Sequence, residues 1–220
     1  MAQTLFQRLT RGKEVVEFNY FNPAKARIGA AFQLDLIGLR GMIFILKEIR
    51  QYERTINGKT LTFGDYYLQS RPVDSEEQNV IVRFVPNAVG ATTHDVLLLR
   101  VYDEMQFNKE LDGALRCGSG QLEITQDGQT ETYWRPQAGW KYLTEPYQAT
   151  VTKIQDLNGD GRIDANEAIS WRIEFWDYSR ETKMDGQDVT QFLFVEFLKD
   201  DAIQVMLRGE RVPAERISVL

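Results

Sequence analysis

Residues 156–167 read Asp-Leu-Asn-Gly-Asp-Gly-Arg-Ile-Asp-Ala-Asn-Glu. Oxygen-bearing side chains recur at alternate positions, Asp156, Asn158 and Asp160, and return at Asp164 and Glu167. Gly161 stands where the chain must turn sharply and a Cβ would strain it. Arg162 offers a backbone carbonyl, so its side chain is free to vary. Every specified position of the twelve-residue calcium loop D-x-[DN]-x-[DN]-G-x5-E is met. Calcium takes 6–8 oxygen ligands at about 2.3–2.6 Å, and ligands alternating along a tight loop converge on one point. In that arrangement Asp156, Asn158, Asp160, the Arg162 carbonyl, Asp164 (through a water) and Glu167 (through both oxygens) form the metal set. Four carboxylates drawn together repel unless they are solvated or neutralised by a cation. Calcium is the expected occupant and magnesium the alternative.

What must position this loop is unusual for it. Tyr147 to Ile154 is rich in β-branched residues, and Ile169, Trp171, Ile173 and Phe175 alternate with polar residues, which is strand period. A capping-box-like start over Asp164–Glu167 competes, enough for one helical turn. The expectation is strand, loop, brief turn, strand. With a single loop and no second copy to pair at Ile163, a structural ion fits better than a calcium switch. The bland alternative is a surface hairpin, because Asn158-Gly159 and Asp160-Gly161 are ordinary turn dipeptides.

Other residues invite chemistry more weakly. His94 is the only histidine and Cys117 the only cysteine. Thr93-His94-Asp95 suits acid–base work, but a lone histidine in a polar turn is commonly just solvated. Arg116 beside Cys117 favours a thiolate, yet a nucleophilic thiol also needs a base. Gly118-Ser119-Gly120 is too short to cradle a phosphate and lacks a following lysine. Asp103-Glu104 and Glu110 with Asp112 are acid pairs that a hydrolase could use; on an acidic surface they read as solvated faces. Trp134, Trp140, Trp171, Trp176 and Tyr178 read as core and rim.

The rest of the chain is organised by strands. Residues 42–46, 80–85, 96–101, 192–197 and 203–207 are β-favouring apolar runs, and 121–125 with 130–134 flank Asp127-Gly128, a hairpin signal. No long helical period, internal repeat or low-complexity tract occurs. Residues 2–20 suggest one short helix through Leu5, Phe6 and Leu9, with Arg8, Arg11 and Lys13 nearby. That is a packing helix or, less simply, a basic amphipathic segment making peripheral contact with a membrane or partner. The reading is a mainly β (α+β) fold, antiparallel sheets packed as a sandwich or barrel-like domain with a few short helices, over residues 1–220. Pro136, Gly139 and Pro146 mark the alternative, two β subdomains at 1–138 and 139–220.

Lys plus Arg number 26 against 32 acids, a net charge of −6, which argues against nucleic acid as a partner. One cysteine excludes an intramolecular disulfide. No apolar run approaches the roughly 20 residues of a membrane span, and the N-terminus lacks a secretory pattern. The expectation is a cytoplasmic protein.

Arg27-Ile28-Gly29-Ala30-Ala31-Phe32-Gln33-Leu34-Asp35, Trp176-Asp177-Tyr178-Ser179-Arg180 and Phe192-Leu193-Phe194-Val195-Glu196 resemble segments of the YjfK-like family of bacterial proteins, and the loop at 156–167 resembles an EF-hand-type calcium loop. The family resemblance implies a cytoplasmic accessory role in an envelope-stress system, with a phage-shock-type membrane-stress protein as partner, and the first reading is a non-enzymatic interaction protein. The resemblance brings no catalytic residues. A small-ligand-binding β domain and a metal-assisted hydrolase stay open as alternatives, and the oligomeric state is not legible.

Overall fold

Runs of β-branched and aromatic residues form long antiparallel strands, most of which continue through polar residues that the runs alone do not mark. The computed structural model describes residues 28–56, 59–70, 77–86, 94–138, 141–143, 145–154, 167–184 and 186–220. In chain order these contain β1 (Ala31–Leu34), β2 (Ile43–Ile56), β3 (Lys59–Ser70), β4 (Asn79–Pro86), β5 (His94–Gln106), α1 (Lys109–Arg116), β6 (Gln121–Gln126) and β7 (Gln129–Trp134). After them come β8 (Gln137–Ala138), β9 (Lys141–Tyr142), β10 (Tyr147–Ile154), β11 (Ala168–Met184), β12 (Gln187–Leu198), β13 (Ile203–Arg211) and β14 (Ile217–Val219). The fold is mainly β. Hydrogen bonding runs in the order β14-β1-β2-β3-β4-β5-β13-β12-β11-β7-β6, and β10 pairs both β11 and β2. The eight strands β2-β3-β4-β5-β13-β12-β11-β10 therefore return on themselves, the strand order of a closed antiparallel barrel, with β14-β1 and β7-β6 as extensions. β8 and β9 form a separate two-stranded ladder.

The chain divides into two compact units: residues 1–98, 150–171 and 212–220 form one, and 99–149 with 172–211 the other. In the first unit, Phe44, Leu46 and Ile49 of β2, Tyr66 and Leu68 of β3, Val80, Val82 and Phe84 of β4, and Ile154 of β10 share one core with Phe32, Leu34 and Ile217. Their period of two buries one face of a pleated sheet, and on β2 a register shift between Leu46 and Glu48 moves the next core residue to Ile49. The opposite face of β2–β4 is also buried, but with charge in it. Asp65 lies across from Arg83 and from Arg50, and Tyr52 across from Phe63.

In the second unit, Trp176 and Tyr178 of β11, Leu193 and Val195 of β12, and Met206 of β13 line one sheet face. Leu115 of α1 and Leu122 and Tyr133 of the β6–β7 hairpin cover it. The hairpin turn is Asp127-Gly128, with φ of 52° and 75°. Two successive positive φ values are what a two-residue hairpin needs to match strand twist, and Asp-Gly supplies them at low cost.

Two elements depart from the sequence expectations. Residues 109–116 form a helix with no long amphipathic period behind it. Asn108 caps it, its side-chain oxygen accepting from the Glu110 and Leu111 backbone N–H groups at 2.9 and 3.1 Å, and Glu110 and Asp112 face the positive end of the helix dipole. The acid pair is thus a helix-start signal. β3 was unmarked because its sequence, KTLTFGDYYLQS, is half polar; it is fixed by twelve residues of register with β2. The proposed helix over residues 2–20 lies outside the described residues. No described helix is long and apolar enough to cross a membrane.

Candidate functional site

The metal-type loop joins β10 to β11, two strands paired with each other. Its flanks are therefore strands, as their β-branched and alternating residues indicate. Asp156, Asn158, Asp160, Arg162 and Asp164 lie outside the described residues. Glu167, the twelfth position, is described: it is 3% exposed and immediately precedes β11. Just past the loop's root, the Thr152 and Ser170 hydroxyls stand 2.9 Å apart, one on each strand. Lys153 pairs with Glu48 of β2 at 3.0 Å, and Glu48 also accepts from Arg50 at 2.6 Å. The Arg50 guanidinium lies 4.3 Å from the centre of the Tyr67 ring and 5.9 Å from that of Trp171. The base of the loop is thereby tied to β2 and β3 by charge and ring contacts. Among the described residues no group of three or more His, Cys, Asp or Glu side chains is placed to hold a metal, so any metal set depends on the loop itself.

Deeper in the same unit, Arg83 grips Asp65 through Nε and Nη2 at 2.6 and 2.7 Å. Both residues are at most 1% exposed, and the guanidinium sits 5.1 Å from Tyr52 and 5.0 Å from Phe63. A two-pronged ion pair closed off from water and walled by rings ties β3 to β4.

The second unit carries two further polar clusters. At the first, Glu174 is buried on β11 beneath α1. It accepts from Lys199 at 2.6 Å, from Gln148 at 3.4 Å and from Arg116. Burial raises the Glu174 carboxyl, but the bonds from Lys199, Arg116 and Gln148 outweigh it and hold the group below the usual carboxylate range. Arg116 also pairs with Asp112 at 3.0 Å and lies over Trp176, which locks the helix onto the sheet. Cys117, next in the chain, is exposed, with its sulfur 3.0 Å from the Ser119 hydroxyl. That bond lowers the thiol below its ordinary value.

The other cluster continues the core face of β11–β13. Trp176, Tyr178 and Arg180 alternate on β11; Arg180 faces Gln191 of β12, and Arg208 of β13 faces Leu193. Glu131 and Tyr133 of β7 complete the set. Arg208 Nη2 donates to Glu131 Oε1 at 2.9 Å and approaches Oε2 at 2.8 Å, while Arg180 Nη2 also donates to Glu131. The Gln191 side-chain oxygen accepts from Tyr133 at 2.6 Å, Arg180 Nε at 2.8 Å and Arg208 Nη2 at 3.0 Å. Each guanidinium rests on a ring, Arg180 on Tyr133 at 5.0 Å and Arg208 on Tyr102 at 5.5 Å. Burial pushes the Tyr133 phenol up to about 12, Arg208 and Arg180 pulling it down and Glu131 raising it, so it remains a proton donor at neutral pH.

None of these five residues was a candidate from sequence. The available signal was the strand period that places Arg180 two positions beyond Tyr178; the convergence with Glu131, Gln191 and Arg208 depends on the register of β12 and β13 and on the distant β7. Of the other sequence candidates, Trp176 and Tyr178 are core, and Trp134 is a rim residue at 40% exposure. Asp103 and Glu104 are exposed on β5. Trp140 and the His94 side chain lie outside what is described. No protein-family model, curated protein or solved structure matches the chain.

Proposed function

We propose that this is a non-enzymatic binding protein in which a single calcium ion, held at 156–167, braces the connection between β10 and β11. The observation that carries this reading is Glu167. The residue that would supply the bidentate ligand is held by the fold at the mouth of a paired strand, not left in solvent, and a loop ligand needs that fixity to bind in one geometry. A strand–loop–strand frame lacks the helix pair that opens in calcium sensors, so the ion serves stiffness. Magnesium is the competing occupant. Following the family resemblance, the role is that of a cytoplasmic accessory protein in an envelope-stress system, with a phage-shock-type membrane-stress protein as partner.

Thermal unfolding tests the brace. A ligand that binds only the folded state at 100 times its Kd adds about 2.7 kcal/mol. At about 2–4 °C per kcal/mol for a chain of this size, saturating calcium should raise Tm by roughly 5–11 °C in wild type. Glu167→Gln should lose most of that rise. An equal response in both proteins, or none in either, would refute the brace.

A further inference from the structure

We propose that Arg180, Arg208 and Gln191 of the second unit form a binding site for an oxyanion, a carboxylate or phosphate group presented from solvent. This site is separate from the calcium loop and does not depend on it.

The argument is one of donors and acceptors. Glu131 engages both guanidiniums, but only through their Nη2 atoms. Among the described residues, Arg180 Nη1, Arg208 Nε, Arg208 Nη1 and the Gln191 side-chain nitrogen make no hydrogen bond, and the Arg180 and Arg208 side chains are 19% and 22% exposed. Besides the Glu131 carboxylate, the cluster's acceptor is the Gln191 side-chain oxygen, and it is oversubscribed. The Gln191 oxygen has two lone pairs and receives three donors. What the cluster lacks is an acceptor from outside, and guanidinium forks together with an amide N–H are the donors that oxyanions take.

The site is also rigid before any ligand arrives. Each arginine is stacked on a tyrosine and pinned by Glu131 and Gln191, and both stand on paired strands. The side-chain ordering that usually weakens binding by arginine is thus already in place. Two acidic residues of β11–β13 share this face: Glu174, engaged by Arg116 and Lys199, and Glu210, opposite Gln191. Glu210 makes no ion pair among the described residues, so its carboxylate is not on either guanidinium. With Arg180 and Arg208 set against Glu131 and the more distant Glu210, net charge contributes little. Recognition comes from directed N–H groups, and binding should fall only modestly with salt.

The test titrates the full chain with sodium phosphate and, separately, sodium acetate at constant ionic strength. The Arg180 and Arg208 side-chain Nε resonances are followed in proton–nitrogen correlation spectra. Saturable shifts at both arginines with one or both anions are expected, and the tighter anion names the ligand class. Arg208→Lys keeps the charge and loses the fork, and should weaken binding about tenfold. Gln191→Glu has nearly the same shape, places a carboxylate among the donors and should abolish binding, which keeps the test sound if the lysine variant folds poorly. Lys183→Gln, an exposed residue well outside the cluster, should bind as wild type. Two results would overturn the proposal: no saturable shift with either anion through the millimolar range, or undiminished binding in Gln191→Glu.

Discussion

The buried pair Asp65–Arg83 offers the sharpest energetic test of how the first unit is held. Arg83→Met keeps most of the side-chain length and removes the guanidinium. The pair meets through two bonds of 2.6 and 2.7 Å with essentially no solvent access. At an effective dielectric of about 20, charges about 4 Å apart attract by about 4 kcal/mol. Breaking a buried pair on one side typically costs about 3–5 kcal/mol, because the other charge stays behind. Loss of the contacts to Tyr52 and Phe63 adds about 1 kcal/mol. Arg83→Met should therefore destabilise by about 4–6 kcal/mol. With a urea slope of about 2 kcal/mol per molar, the midpoint moves down by about 2–3 M. Adding Asp65→Leu removes the stranded carboxylate and should recover at least half of the loss, since apolar replacement of a whole buried pair is often close to neutral. A single-variant cost below about 1 kcal/mol, or a double variant as unstable as the two single losses added together, would show that the pair is not closed off as described.

Two further predictions concern titration. The Glu174 carboxyl is held below its unfolded value, so its contribution is present above the ordinary glutamate pKa of about 4.3 and is lost as pH falls through the lower folded value. Tm of wild type measured from pH 6 to pH 3 should drop more steeply than that of Glu174→Gln, and parallel curves would contradict the lock between α1 and β11. Tyr133 and Tyr178 are each pushed up to about 12, in both cases chiefly by burial. Both should ionise late in an ultraviolet titration, and Tyr133→Phe should remove one late step; a late phase unchanged in that variant would reject the assignment.

The sequence made the strand content legible because burial of one or both sheet faces writes itself as period two or as continuous apolar runs. Met42–Leu46 announced the start of β2, and Asp127-Gly128 announced the β6–β7 turn. What stayed hidden had physical reasons. β3 presents Thr60, Thr62, Asp65 and Gln69 among its apolar residues, and it is held by pairing along β2. The helix α1 is only two turns long and contains Gly113; its signals are the Asn108 cap and the acids behind it. Asp65 and Arg83 are 18 residues apart, and nothing local marks either as buried. The cluster at Arg180 and Arg208 depends on register between β11, β12 and β13 and on the hairpin that delivers Glu131. The calcium-type loop was legible for the opposite reason: its ligands are consecutive in the chain, so spacing alone carries the chemistry.

That loop is where the central claim is tested most directly. Calorimetric titration of the full chain with calcium, and separately with magnesium, measures whether 156–167 holds an ion. Wild type should show one saturable calcium site, and Glu167→Gln, which lacks the bidentate carboxylate, should bind calcium at least about tenfold more weakly. Flat titrations with both ions, or identical calcium binding by wild type and Glu167→Gln, would contradict the account.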